Sequence, residues 1–202
     1  PVHTKRSLPV KPGVVRLHSL PTENFYNARN SICQRPPGPE SIMTVELDTT
    51  GMVAGDTAGF GLVSTPYAWI GVVKSEEGVS LQMFTASGGG RGGRGGRGGG
   101  AVPTNLPTVS PDTPPSKLWL RMHCNFDTDQ VVFSWSADGR EFTPLGNPFT
   151  PVFQLTTFQG VRPALFHYNT SGQPGGYADF DNYTVVDPRA RGIEREIPMV
   201  KT

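Results

Sequence analysis

The sequence predicts an all-β protein, an antiparallel two-sheet β-sandwich. Apolar residues recur at every second position in short runs, which is the spacing of a strand with one buried face. Turn-forming residues separate these runs, and helical spacing is almost absent. The chain has 202 residues, including 25 Gly and 20 Pro. This length predicts one domain, or one domain with tails.

The alternating runs follow one another along the chain with tight turns between them. In order they read SIMTVELDTT, YAWIGVVKS, GVSLQMFTA, KLWLRMHCNF, QVVFSWSADG, RPALFHYN and GYADFDNYTVV. One face of the fourth run is apolar and is predicted to be core: Leu118, Leu120, Met122 and Cys124. The connecting letters EEG, DTDQ and ADGRE supply the side-chain hydrogen bonds and the positive φ that chain reversal needs.

A glycine- and arginine-rich stretch separates the third run from the fourth. SGGGRGGRGGRGGG is followed by AVPTNLPTVSPDTPPS, and neither buries enough apolar surface to offset the entropy of ordering. We predict a flexible insertion over 87–116 within a sandwich over 1–187, followed by a charged tail or linker over 188–202. RNA binding by the glycine-arginine repeat is an alternative. It is disfavoured because the stretch has few charges and no aromatic platforms.

Charge and hydropathy argue against two classes of partner. The formal net charge is +1, far from the basic balance of a dedicated nucleic-acid binder. No apolar stretch approaches the roughly 18 residues of a membrane span. We therefore expect neither nucleic acid nor membrane as a partner.

Asn-x-Ser/Thr sequons at Asn169 and Asn182 favour an extracellular, secreted location. Cys33 and Cys124 could form one disulfide, but a buried free thiol at Cys124 is the preferred interpretation.

The polar residues contain no catalytic motif. Histidines lack metal-ligand spacing, and no nucleophile elbow or phosphate loop occurs. Asp179 and Asp181 are two apart in a strand and share a face. They are a weak candidate site for Ca²⁺, which prefers oxygen ligands, or a contact to sugar hydroxyls. The preferred interpretation is a solvated strand face or ion pairing with Arg121 or Arg162, and no cofactor is otherwise expected.

Aromatic residues are the candidate sugar contacts, because a sugar ring stacks on a flat apolar face. Trp119 shares a strand face with Arg121 and His123, while Tyr67 and Trp69 lie in or beside loops. For Trp119 the alternative is plain cover for the other sheet face or contact with a second domain.

Four separated motifs resemble one enzyme family. They are NARNSICQRPPGPESIMTVELDTTGMVAGDTAGFGL, YAWIGVVK, LWLRMHCNFDTDQVVFSWSADGREFTPLG and FQGVRPALFHYNTSGQPGGYADFDNYTV. The chain resembles the concanavalin A-like jelly roll that follows the catalytic propeller in glycoside hydrolase family 43, which includes β-xylosidases and α-L-arabinofuranosidases. In that family a tryptophan-rich first strand precedes the point matching VHTKRSL. The resemblance therefore implies a sandwich that lacks its first strand, which another chain could supply.

The resemblance implies a function without catalysis in this chain. The family's hydrolytic carboxylates lie in the five-bladed propeller, which this chain does not include, so whether it counts as an enzyme stays open. The sandwich is expected to pack on that propeller and help close its pocket around plant cell-wall oligosaccharides derived from xylan or arabinan. Phe158 matches the family's F.G motif and is the candidate for closing the pocket, with ordinary packing as the alternative. A free-standing carbohydrate-binding module or lectin is the other functional class that stays open.

Overall fold

A computed structural model of the chain describes residues 12–86, 107–152 and 160–188, together with the backbone of 6–7. Within these residues the protein is all-β apart from one 3-10 turn at Phe25–Asn27, which confirms the predicted fold class. The strands are β1 (Arg6–Ser7), β2 (Val15–His18), β3 (Leu20–Pro21), β4 (Ser31–Cys33), β5 (Glu40–Asp48), β6 (Asp56–Val63), β7 (Ala68–Lys74), β8 (Val79–Thr85), β9 (Thr108–Val109), β10 (Lys117–Asn125), β11 (Gln130–Ser136), β12 (Thr143–Pro144), β13 (Arg162–Asn169) and β14 (Tyr177–Val186).

These strands form two sheets. Sheet A has the order β1-β2-β14-β5-β10-β11-β12, and sheet B has the order β3-β13-β6-β7-β8-β9, with β4 also paired to β13. All pairs are antiparallel except β3 with β13. The long strands lie in the middle of each sheet, and the outermost strands have only two residues. This arrangement is the predicted antiparallel sandwich.

Strand β10 shows why alternation predicts this architecture. Its four apolar side chains, Leu118, Leu120, Met122 and Cys124, have no exposed surface. The residues between them are partly exposed on the outer face of sheet A. Because β10 pairs with β5 on one side and β11 on the other, its inner face meets only core. Both cysteines are free, and burial raises the pKa of the Cys124 thiol to about 12, as expected for a core thiol.

One apolar layer fills the space between the sheets. Its side chains come from both sheets and include Leu17, Met43, Val45, Leu47, Phe60, Leu62, Ile70, Leu81, Phe133 and Phe180. Full burial of such a side chain contributes about 1.5–3 kcal/mol relative to its exposed state. The layer is therefore a complete core of the kind that stabilises a single domain.

The two ends of the sandwich can be told apart by the strands that begin or end at each of them. At one end, a row of paired residues crosses sheet B at the end of β8, the start of β7, the end of β6 and the start of β13. In that order the residues are Thr85, Ala68, Leu62 and Pro163. Gln34 joins the sheets here, because its backbone N–H donates to Pro163 and its side chain donates to Tyr183 of β14. We call this end of the sandwich the upper end.

The segment predicted to be a flexible insertion, 87–116, falls partly on described residues. Thr108–Val109 forms β9, which pairs with β8, and the backbone N–H of Ser110 donates to the carbonyl of Leu81. The segment therefore pairs with sheet B at Thr108–Val109, and the flexibility of the insertion stays a prediction. The rest of it, 87–106, lies outside the described residues, as does the charged tail from residue 189. No helix in the described part of the chain is long and apolar enough to cross a bilayer.

Candidate functional site

An aromatic cluster covers the outer face of sheet B. Its members come from three strands and two loops: Phe25, Tyr67, Trp69, Phe84, Phe166 and Tyr168. Trp69 lies opposite Phe84 on β8, and their rings stack with centroids 5.7 Å apart. Glycine makes room for this packing, because a Cβ at Gly61 would lie 2.7 Å from the Phe25 ring. The structure thus brings two predicted sugar contacts, Tyr67 and Trp69, into one cluster.

Tyr67 and Trp69 are largely covered by their neighbours. They are 8% and 5% exposed, and Trp69 belongs to strand β7 rather than to a loop. Burial also raises the pKa of the Tyr67 hydroxyl. Tyr26 lies beside the cluster and is 50% exposed, with its ring nearly parallel to that of Tyr67 and the two centroids 6.1 Å apart.

Sequence reasoning missed Tyr26, although its local signal is present in TENFYN. Asn24 caps the 3-10 turn, because its side-chain oxygen accepts from the backbone N–H of Asn27. A capping asparagine indicates that a helical turn begins just after it. Here Phe25 is buried and Tyr26 is exposed.

Exposed apolar residues mark the upper end of the sandwich. Val152 follows Phe149, which pairs with Val131 near the start of β11, and it is 47% exposed. Val186, the last residue of β14, is 54% exposed. Tyr26 belongs to the same end through its contact with Tyr67, which precedes β7. Phe158, the candidate for closing the pocket, lies outside the described residues. The upper end therefore combines accessible apolar surface with the start of β13.

Trp119 lies on a different surface, the outer face of sheet A. As predicted, it shares that face with Arg121 and His123, which are engaged in local contacts. The Arg121 guanidinium lies 3.4 Å from the Phe142 ring centroid, and the His123 Nε2 lies 2.6 Å from Glu40 Oε1. The Trp119 ring packs under the turn after β11. Its role in sugar contact stays a prediction, separate from the aromatic cluster.

Asp179 and Asp181 belong to a row of carboxylates on the outer face of sheet A. Register places Asp179 opposite Asp48 and Asp181 opposite Glu46. Arg16 donates from Nε and Nη2 to the two oxygens of Asp179, each at 2.7 Å. The ion pair that was preferred to a calcium site is therefore present, but its cation is Arg16 rather than Arg121 or Arg162.

A second cation lies beside this row. Lys117 Nζ is 3.2 Å from Glu46 Oε1, and this hydrogen bond raises the pKa of Lys117. Among the described residues, no group of three or more His, Cys, Asp or Glu side chains is arranged to hold a metal ion. The row is arranged as ion pairs across four neighbouring strands, β2, β14, β5 and β10, and a role for Asp179 and Asp181 with Ca²⁺ stays a prediction.

A buried polar network lies between the sheets at the end opposite to the upper end. The sequence analysis did not identify it. The Asp56 carboxylate accepts from the backbone N–H of Val53 at 2.8 Å and of Gly176 at 2.9 Å. Its other oxygen, Oδ1, accepts from Asn169 Nδ2 at 2.8 Å, whereas His167 Nε2 lies 3.4 Å from Oδ2. The signal was the alternation of His167 and Asn169 on the inner parity of a strand, where apolar residues are expected.

Burial and hydrogen bonding oppose each other at Asp56. Burial alone would raise the pKa of this carboxyl, but the neighbouring His167 and hydrogen bonds from Val53 and Asn169 outweigh it and hold the pKa well below its ordinary value. The carboxylate is therefore charged, and it ties the loop before β14 to the start of β6. This network organises the fold and is not a surface site.

A cavity of about 200 Å³ opens at the edge between the sheets, and Ile32 and Cys33 of β4 line part of it. Its walls are mainly apolar, with Phe60 and Leu165 from sheet B and Tyr183 from sheet A. Gln34 Nε2 donates to Tyr183 Oη at 2.9 Å across the rim, and burial raises the pKa of Tyr183 to about 12. The exposed thiol of Cys33 also lies on this rim.

Comparison with known proteins places the chain in one family. Residues 1–186 match the family described as the β-xylosidase C-terminal concanavalin A-like domain. A β-xylosidase of Formosa agariphila is 26% identical over 206 residues, which cover 91% of this chain and 31% of that protein.

Two solved structures extend the match. A bifunctional GH43-CE protein of Bacteroides eggerthii superposes with a TM-score of 0.75 and 28% identity, over 92% of this chain and 22% of its own. An engineered GH43 glycoside hydrolase, which displays endo-xylanase and exo-arabinofuranosidase activity, superposes with a TM-score of 0.75 and 25% identity. This match covers 92% of this chain and 37% of that protein. The chain thus spans well under half the length of these relatives. The chain belongs to the family of β-xylosidase C-terminal concanavalin A-like domains.

Proposed function

We propose that this chain is the non-catalytic accessory sandwich of a secreted family 43 glycosidase that acts on xylan- or arabinan-derived sugars. One observation carries the proposal. The family match covers residues 1–186, yet the chain corresponds to only 31% of a β-xylosidase. The remaining two-thirds of such an enzyme has room for a separate catalytic domain. The sandwich then contributes packing on the catalytic propeller and the shape of its substrate pocket.

The upper end is the surface that suits this role. Tyr26, Val152 and Val186 expose apolar area there, whereas the outer face of sheet A carries ion pairs. The cores of protein interfaces are depleted in charged residues and enriched in aromatic ones. Phe158, which lies outside the described residues and precedes β13 in the sequence, is the residue proposed to reach the pocket of the partner.

A domain replacement tests the proposal. The segment of the Formosa agariphila β-xylosidase that this chain matches is replaced by the 202-residue chain, and hydrolysis of an aryl xyloside is measured. The chimaera should be more active than the same enzyme lacking the segment, because the sandwich completes its pocket. The purified 202-residue chain should not hydrolyse aryl xyloside or aryl arabinofuranoside.

Matched valine variants test the docking surface. Val152→Asp in the chimaera should lower its activity, because the new charge is desolvated at the interface. Val53→Asp is the control, since Val53 is also 47% exposed but lies at the opposite end, before β6. Equal effects of both variants would contradict docking at the upper end. Turnover by the chain alone would contradict the accessory role.

A carbohydrate-binding module is the second candidate, favoured by the exposed Tyr26 ring that lies parallel to Tyr67. Such a platform suits stacking of a sugar ring. Isothermal titration of the 202-residue chain with xylo- and arabino-oligosaccharides distinguishes the two functions. Saturable binding that Tyr26→Ala abolishes would favour the module, whereas no heat of binding would favour the accessory role.

A further inference from the structure

The two Asn-x-Ser/Thr sequons lie in opposite environments. Asn169 is 1% exposed, and its Nδ2 donates both to Asp56 Oδ1 at 2.8 Å and to the carbonyl of Ala54 at 3.2 Å. Its Oδ1 accepts from the backbone N–H of Ser171 at 2.7 Å. A glycan on this nitrogen would occupy the space of the buried network. A folded chain therefore has an unmodified Asn169.

Asn182 lies on the outer face of sheet A in a β-bulge. The register of β14 against β5 shifts between Asp181 and Thr184, so two residues oppose one. Asn182 has a φ of 49°, in the left-handed region that asparagine adopts more readily than most residues. The bulge keeps Tyr183 against the core while Asn182 and Thr184 are both exposed. The acceptor and the hydroxyl residue of this sequon are thus accessible together.

The contact that Asn182 makes is compatible with modification. Its Nδ2 donates one hydrogen to Glu46 Oε2 at 2.7 Å. A primary amide has two N–H donors, and an N-linked glycan replaces only one of them. The remaining N–H can therefore keep the bond to Glu46 after a sugar is attached.

We propose that Asn182 is an N-glycosylation acceptor and that Asn169 is not. This inference rests on the secreted location in the proposed function. The donor is a lipid-linked oligosaccharyl pyrophosphate of the secretory pathway. A bond forms between Asn182 Nδ2 and the anomeric carbon, the bond from that carbon to the pyrophosphate oxygen breaks, and lipid pyrophosphate leaves as Nδ2 loses one proton. The glycan then covers the outer face of sheet A and leaves the upper end free for the partner.

The test is expression of the 202-residue chain behind a cleavable secretion signal in yeast. Intact mass is measured on secreted and cell-retained chain, before and after treatment with peptide-N-glycosidase, with peptide mapping of the site. One glycan on Asn182 is expected. Asn182→Gln and Thr184→Ala should each yield glycan-free chain. Ser171→Ala is the matched control, because it removes the other sequon and should keep the glycan.

An unmodified wild-type chain would overturn the proposal. So would a glycan that persists in Thr184→Ala, or one that Ser171→Ala removes. Thr184→Ala also covers the case in which Asn182→Gln fails to fold. Activity of the chimaera reports on the accessory role and does not depend on the glycan. Failure of the glycosylation site and failure of the proposed function are therefore distinguishable.

Discussion

Removal of the Asp56 carboxylate should strongly destabilise the domain. Asp56→Ala removes the acceptor of three donors: the part-buried N–H groups of Val53 and Gly176 and one N–H of the buried Asn169 amide. It also leaves His167 without its anionic neighbour at 3.4 Å. These groups hold the loop before β14 against sheet B, so the loss affects both sheets.

The size of the effect follows from these contacts. An unsatisfied buried donor costs about 1–3 kcal/mol, and three donors with partial relaxation give about 3–5 kcal/mol. A domain of ordinary stability has only about 5–15 kcal/mol in total, so the variant should be close to unfolding.

Urea unfolding followed by tryptophan fluorescence and far-UV circular dichroism measures the loss. Asp179→Ala is the control, because Asp179 pairs with Arg16 but is 21% exposed, and its loss should cost about 1 kcal/mol or less. If Asp56→Ala is no more destabilising than Asp179→Ala, the reasoning about the buried network is refuted.

The pH dependence of stability gives a second measurement on the same carboxyl. Its pKa is lowered in the folded state, so its contribution is complete above the unfolded pKa of about 3.9. As the pH falls below this value the unfolded chain binds the proton first, and stability decreases. The wild type should therefore lose more stability on acidification below about pH 4 than Asp56→Ala does. Parallel pH profiles of the two proteins would contradict the lowered pKa.

Two further predictions concern thiols and a turn. In native chain a thiol reagent should label Cys33, which is exposed, and leave Cys124, which is buried; both should react in denaturant, and rapid native labelling of both would contradict the core position. Gly139→Ala should destabilise by about 2 kcal/mol in urea titration, since φ is +75° and the new Cβ would lie 2.9 Å from the Trp119 ring. Gly172→Ala is the control with φ +79° and open space, and it should lose about 1 kcal/mol. An equal loss in both variants would show that the indole does not pack there.

The core of the central strands could be predicted because it depends on local alternation. Leu118, Leu120 and Met122 alternate with polar neighbours, and no long-range information is needed to place them inward. The same pattern gave the correct parity for Cys124. Such positions report which face of a strand is buried, whichever strand becomes its neighbour.

Contacts between distant strands could not be predicted in this way. Asp179 pairs with Arg16, 163 residues away, because β14 lies beside β2 in sheet A. The sequence analysis named Arg121 and Arg162 as candidate partners. Arg121 is on β10 and Arg162 on β13, and neither strand lies next to β14. The network around Asp56 was missed for the same reason, since Asn169 meets it through the register of β13 against β6. The short strand β9 was missed because two residues carry no recognisable period.

The two-residue outer strands have a consequence for solubility. β1, β12, β3 and β9 border the two sheets, and β12 contains Pro144, which has no N–H to donate. A long unpaired border is a template on which another chain can extend a sheet, and these borders are too short to serve as one. Copies of this chain at high concentration should therefore resist fibrous aggregation through these borders.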